Sequence, residues 1–210
     1  LRALGRLSEA TQPFQAGLDM QIKQEDWLNA AIAANSLSEL CLMLGEVPRA
    51  IKLAKQSVTL ADRSKDDFCM ESTRTTYADA LHQGGDDQQA MDTFITAETM
   101  QQKRQPDSPY LYSLPGFRYC DLLLTRGQET DITNVIKRAQ TTIEIAKRNN
   151  WLLDIALDNL TLGKAHLLQS LISQSPDFTQ AQNYLNQAVE GLRAAGNQEF
   201  VSLGLLARAT

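Results

Sequence analysis

The stretch Leu44-Gly45-Glu46-Val47-Pro48-Arg49-Ala50 decides the fold, because it recurs. Leu4-Gly5-Arg6-Leu7-Ser8-Glu9-Ala10 stands 40 residues before it, and Gly84-Gly85-Asp86-Asp87-Gln88-Gln89-Ala90 stands 40 residues after. In each copy a glycine is followed five residues later by an alanine. Further on, Ala50-Ile51-Lys52-Leu53-Ala54 finds a counterpart in Val135-Ile136-Lys137-Arg138-Ala139, and Ala181-Gln182-Asn183-Tyr184-Leu185 opens one more copy. The equivalent positions are 10, 50, 90, 135 and 181, with steps of 40, 40, 45 and 46. A recurring period in this range is the mark of stacked supersecondary units, each too small to bury its apolar face alone.

Each unit reads as two helices. In the second, Val47, Ala50, Ile51, Ala54, Val58 and Ala61 fall three or four apart, which lines one helical face. Ala181, Leu185, Ala188, Val189 and Leu192 repeat that stripe. The first helices are expected to open at Asp26-Trp27, Asp67-Phe68 and Asn150-Trp151, where a short Asx side chain can accept bonds from the free N–H groups of the first turn. Ser108-Pro109 is expected to open another, with proline where its missing N–H costs nothing. Gly5, Gly45, Gly85 and Gly127 stand between the paired helices, where a left-handed residue commonly ends a helix. Pro13 and Pro115-Gly116 fall inside helical stretches, so a late start or a kink is expected at each.

Composition fits an all-α chain. Glycine (11) and proline (6) are scarce among 210 residues, hydrophobic residues make up 43% and charged residues 21%. That balance excludes a disordered chain and argues against a turn-rich β fold. The net charge of −5 comes with no basic stripe, so nucleic acid is not an expected partner. Lys23-Gln24, Lys103-Arg104 and Lys147-Arg148 lie near helix ends, where they complement the helix dipole. No apolar run approaches the roughly 18 residues that suggest a membrane span. Cys41, Cys69 and Cys120 are odd in number and widely spaced, which suits buried thiols in the reducing cytoplasm rather than a disulfide framework. The chain begins with Leu1 rather than Met, and its repeat pattern starts and stops inside a repeat, so a fragment of a larger protein is expected.

Catalytic chemistry leaves no trace in the pattern. HExxH, GxSxG and GxxxxGK[ST] are all absent. His166 occupies a packing position, and His82 precedes the Gly84-Gly85 turn at a helix C-terminus. Asp66-Asp67 and Asp86-Asp87 read as helix caps, with Asp67 and Asp87 at the helix starts, because a calcium loop needs more widely spaced oxygens. The expectation is a non-enzyme with no metal and no cofactor.

The pattern resembles the tetratricopeptide repeat family. Ala78, Leu81, Gly85, Ala90, Phe94 and Ala97 match its signature, as do Leu162, Gly163, His166, Ala181, Leu185 and Ala188 with an insertion between the helices. The first copy supplies only Gly5, Ala10, Phe14 and Gly17, and the last only Leu203, Gly204 and Ala207. Units of 40 to 46 residues exceed the usual length of about 34, and are similar to the long-repeat arms of bacterial multidomain signalling proteins of the STAND NTPase type.

The resemblance implies a right-handed α-α superhelix of antiparallel helix pairs. It would be a single solenoid over 1–210 with about five repeats: 1–24 (partial), 25–64, 65–105, 106–149, 150–196 and 197–210 (partial). It further implies a concave groove lined by the first helices, where Asn35, Glu39, Thr75, Asp79, Arg118, Asp121 and Lys164 would meet a protein or peptide, or other domains of the same chain. The implied role is a scaffold or sensor arm of a larger bacterial regulatory protein. The alternative is a receptor for a peptide or small ligand whose binding alters the superhelix and an attached effector, with Tyr112, Phe117 and Tyr119 as candidate pocket residues.

Overall fold

The computed structural model describes residues 7–173, 177–196 and 198–209. Among these every regular element is an α-helix: α1 (Leu7–Lys23), α2 (Trp27–Met43), α3 (Val47–Ser64), α4 (Asp67–Gln83), α5 (Asp87–Arg104), α6 (Ser113–Thr125), α7 (Glu129–Asn149), α8 (Leu152–Ile172), α9 (Thr179–Ala194) and α10 (Gln198–Ala209). The chain groups into two compact units, Leu1–Pro109 and Tyr110–Thr210.

In the first unit each helix lies against the next in the chain, and α2 also lies against α4. In the second unit α7 lies against α8, α8 against α9 and α9 against α10, while α8 also touches α6 and α10. Contact both with the chain neighbour and with the helix two along is the build of an all-α helical-repeat solenoid. The five register positions carry it: Ala10, Ala50, Ala90, Val135 and Ala181 are all buried. At one of them the approach is close enough for the Ser38 hydroxyl of α2 to donate to the Ala50 carbonyl of α3 at 2.8 Å. The first unit buries Leu18, Leu37, Leu40, Leu60 and a set of alanines in one cluster. The second gathers Leu157, Leu160, Leu185, Leu192 and Val201. Each fully buried leucine contributes about 1.5–3 kcal/mol.

Turn chemistry follows the repeat. Gly45 and Gly85 have φ of +76° and +83°, as expected for a left-handed helix end. The N–H of Glu46 then reaches back to the Cys41 carbonyl, and that of Asp86 to Leu81, which satisfies otherwise orphaned carbonyls. Gly127 is also left-handed, whereas Gly5 lies outside the described residues. Between repeats the left-handed residue is Glu25, Lys65 or Asn150, and before α10 it is Gly196.

Several helix starts differ from the sequence expectation. Asp26 caps α2 as expected, accepting from the Asn29 N–H at 3.2 Å. In α4 and α5 the cap is the first aspartate of each pair. Asp66 accepts from Cys69 N–H and Asp86 from Gln89 N–H, which leaves Asp67 and Asp87 as the first helical residues. Asn150 does not open α8; it closes α7 in the left-handed conformation that asparagine tolerates. Ser108-Pro109 does not open α6 either, because α5 holds that segment: Gln102 Nε2 donates to the Pro109 carbonyl at 2.7 Å. α6 starts at Ser113, so Pro115 falls in its first turn, the late start expected there. α1 runs on through Pro13.

The last repeat copy also shifts. A Cβ on Gly163 would meet Leu185 of the following helix α9, whereas one on Gly204 would meet Val189 and Leu192 of the preceding helix, also α9. Gly204 therefore does not share the position of Gly163, and the residue it replaces in the array is Asp158, 46 positions earlier.

Candidate functional site

The inner face of the first helices was the expected site, and each unit is considered by itself. In the first unit α2, which carries Asn35 and Glu39, lies against α4, which carries Thr75 and Asp79 at the same 40-residue step. Asn35 and Glu39 are half-buried, whereas Thr75 and Asp79 are buried. The Thr75 hydroxyl is turned back to the Ser72 carbonyl at 2.7 Å, and Asp79 accepts from Gln83 Nε2 at 3.2 Å. The Oδ1 atom of Asn35 is shielded from solvent and has no protein partner among the described residues.

In the second unit the structure brings two of the expected residues together. Lys164 Nζ on α8 donates to Asp121 Oδ1 on α6, 43 residues earlier. The same ammonium lies 5.7 Å from the centre of the Phe117 ring, a cation–π arrangement. Arg118 is half-buried one turn before Asp121. The seven residues are thus divided as four on α2 and α4 and three on α6 and α8.

The aromatic candidates serve packing. Tyr119 is buried, with the Arg138 guanidinium 4.5 Å from its ring centre and 4.6 Å from that of Tyr110, so this buried cation sits between two tyrosine faces. Tyr112 stacks on Trp151 at 5.9 Å. His166 stacks on Tyr184 at 5.4 Å, in keeping with a packing position. His82 closes α4 and its Nδ1 lies 2.7 Å from Asp87 Oδ1. The three cysteines are buried, and burial pushes the thiols of Cys41 and Cys69 up from their ordinary values. Among the described residues no group of three or more His, Cys, Asp or Glu side chains is placed to hold a metal ion, and no helix is long and apolar enough to cross a membrane.

Sequence reasoning missed two features. The first is a pair of carboxylates on α8. Asp154 accepts from the Ser113 hydroxyl at 2.7 Å, and Asp158 from the Thr142 hydroxyl at 2.9 Å. Burial, the neighbouring Asp154 charge and only partial relief from Thr142 leave the Asp158 carboxyl pushed up to about 7. Its Oδ2 atom is shielded and has no partner among the described residues. An Asp-xxx-Asp spacing looks like an ordinary solvated helix face, so the pattern held no signal for it. The second is an open groove between α1 and α2, lined by Phe14, Gly17, Gln21, Ile32, Ala33 and Ser36. That groove was within reach of the repeat register, since five of these six positions are small and buried one step later, at Ala54, Ser57, Ala61, Thr73 and Thr76.

Comparison with known proteins bears on the fold. No family model matches the chain, and no curated protein matches it. Among solved structures it is similar to BtubC (BKLC) from P. vanneervenii, with a TM-score of 0.55 and 12% identity over 97% of this chain and 91% of that one. At that identity the likeness speaks to the helical-repeat architecture alone.

Proposed function

We propose that this chain is a non-catalytic interaction scaffold or sensor arm, built of long tetratricopeptide-type repeats and working in the cytoplasm as part of a bacterial regulatory protein. Buried residues at the five register positions, four of them alanine, with a left-handed glycine five residues before two of the alanines, support the repeat type. Such a fold presents many modest contacts over an extended surface instead of one reactive cleft.

The pairing of Lys164 with Asp121 carries the functional reading. Side chains at equivalent places on successive first helices lie next to each other, so the first-helix face of a unit is continuous and can follow an extended peptide. In the first unit the same step relates two acids, Glu39 and Asp79, beside the polar Asn35. That chemistry favours a basic or amide-rich segment. Burial of Asp79 makes Glu39 the carboxylate best placed to meet it.

Selection of displayed random peptides on the immobilised 210-residue chain tests the proposal. Lys- and Arg-containing peptides should be enriched, and the enrichment should be lost on Glu39→Lys. Equal recovery by both proteins, or none by either, would contradict it.

A further inference from the structure

α3 concentrates positive charge in an acidic chain. It carries Arg49, Lys52, Lys55 and Arg63 against a single acid, Asp62, whereas the whole chain has a net charge of −5. Arg49, Lys52 and Lys55 stand three residues apart and all are exposed. They form one row that rises about 9 Å along the helix. The repeat does not require this row. The equivalent outward positions hold Glu9, Gln12 and Gln15 in α1, and Gln89, Asp92 and Ile95 in α5. In α7 and α9 they hold one cation, Lys137, among amides.

Nor does the helix gain from it. Cations help a helix in its last turn, where Arg63 stands, but Arg49 lies in the first turn and faces the positive end of the dipole. Side chains three apart on a helix are neighbours, so Arg49 repels Lys52 and Lys52 repels Lys55. Glu46 relieves the first of these. Its Oε2 accepts from Arg49 Nη1 at 2.8 Å, and it makes no side-chain cap hydrogen bond at the helix start. No acid lies three or four residues from Lys52 or Lys55. Among the described residues neither ammonium has an ion-pair partner.

We propose that the outer face of α3 is a docking surface for an acidic protein segment, whose carboxylates meet Lys52 and Lys55 with Arg49 beside them. The surface is one helix wide, because the second helices before and after it carry Glu9 and Asp92 at the positions of Arg49 and Lys52. A nucleic-acid duplex or an anionic membrane presents a broad field of negative charge and would bring it against those acids as well. A peptide is narrow enough to follow the row alone. The partner is opposite in charge to the basic segment that suits Glu39 on the first-helix face, so the two surfaces select different ligands. Exposed ion pairs are weak, so a simple acidic peptide should bind with a dissociation constant on the order of 1 mM at low salt, and more weakly as salt rises.

Titration of the isotope-labelled 210-residue chain with a short peptide of alternating Glu and Ala, followed by amide chemical shifts at low salt, tests this. Lys52→Glu with Lys55→Glu removes the row, and Lys137→Glu with Lys147→Glu makes the same change in net charge on α7. All four lysines are exposed, and unchanged circular dichroism checks that both variants keep their fold. The native chain should show saturable shifts centred on Arg49, Lys52 and Lys55, and none with Gln in place of Glu in the peptide. The α3 variant should bind at least about fivefold more weakly, and the α7 variant should match the native chain. A native chain without shifts on α3, equal weakening in both variants, or preferential binding of a short DNA duplex or of phosphatidylserine vesicles overturns the proposal.

Discussion

Arg104 at the end of α5 donates from Nε at 3.0 Å and from Nη2 at 2.7 Å to Glu71 Oε2 on α4, which ties the two ends of a helix pair together. The Glu71 side chain is buried and its carboxyl is raised, with burial the larger cause and the guanidinium opposing it. Arg104→Met should strand that carboxylate and cost about 1–3 kcal/mol at neutral pH. A folded-state value above the unfolded one means that the folded chain holds the proton more tightly, so this loss should shrink as pH falls and Glu71 becomes neutral. Urea denaturation at neutral and at mildly acidic pH measures both effects.

Ala90 on α5 is completely buried, and α5 lies against α4. Ala90→Leu should force the pair apart and cost about 1–3 kcal/mol through overpacking. An unchanged melting temperature would contradict the register that places 10, 50, 90, 135 and 181 at equivalent positions.

Two glycines should fail differently. A Cβ on Gly116 would sit 2.3 Å from the Leu111 carbonyl oxygen, a backbone atom that cannot swing aside. Gly45 has open space around it but a φ of +76°. Gly45→Ala should cost about 1–2 kcal/mol for the left-handed conformation alone. Gly116→Ala should cost more, because the chain between α5 and α6 must move. Thermal denaturation of the two variants ranks them.

Asp158 makes stability depend on pH. Its carboxyl stands at about 7 in the folded chain, against an ordinary value of 3.8. Stability associated with it is fully present below about pH 4 and is lost as pH rises through about 7. Asp158→Asn keeps an acceptor for the Thr142 hydroxyl without the charge. It should stabilise the chain above pH 7 by at most about 4 kcal/mol, at roughly 1.4 kcal/mol per pH unit, and by nothing near pH 4. Melting curves of the two proteins across that range should converge on the acid side.

The architecture was legible because its determinants are local and repeated. A left-handed glycine and a small residue five positions later recur at Gly45 and Ala50, then at Gly85 and Ala90, and need no knowledge of distant neighbours. Helix starts were legible only to within a residue where two adjacent aspartates can both cap, as at Asp66-Asp67. The start of α6 was hidden because a tertiary contact, Gln102 to the Pro109 carbonyl, decides it. Exposure on the first-helix face was less legible still. Thr75 and Asp79 occupy the same register as Asn35 and Glu39, yet neighbouring helices enclose one pair more fully than the other.

The central claim is that a peptide is held along the first helices. Chemical-shift mapping of a selected basic peptide on the isotope-labelled 210-residue chain tests it most directly. The account predicts shifts centred on Asn35 and Glu39 of α2, with any second locus at Arg118, Asp121 and Lys164. Shifts centred instead on the exposed sides of the second helices, at Lys55 of α3 or Gln88 of α5, would contradict it.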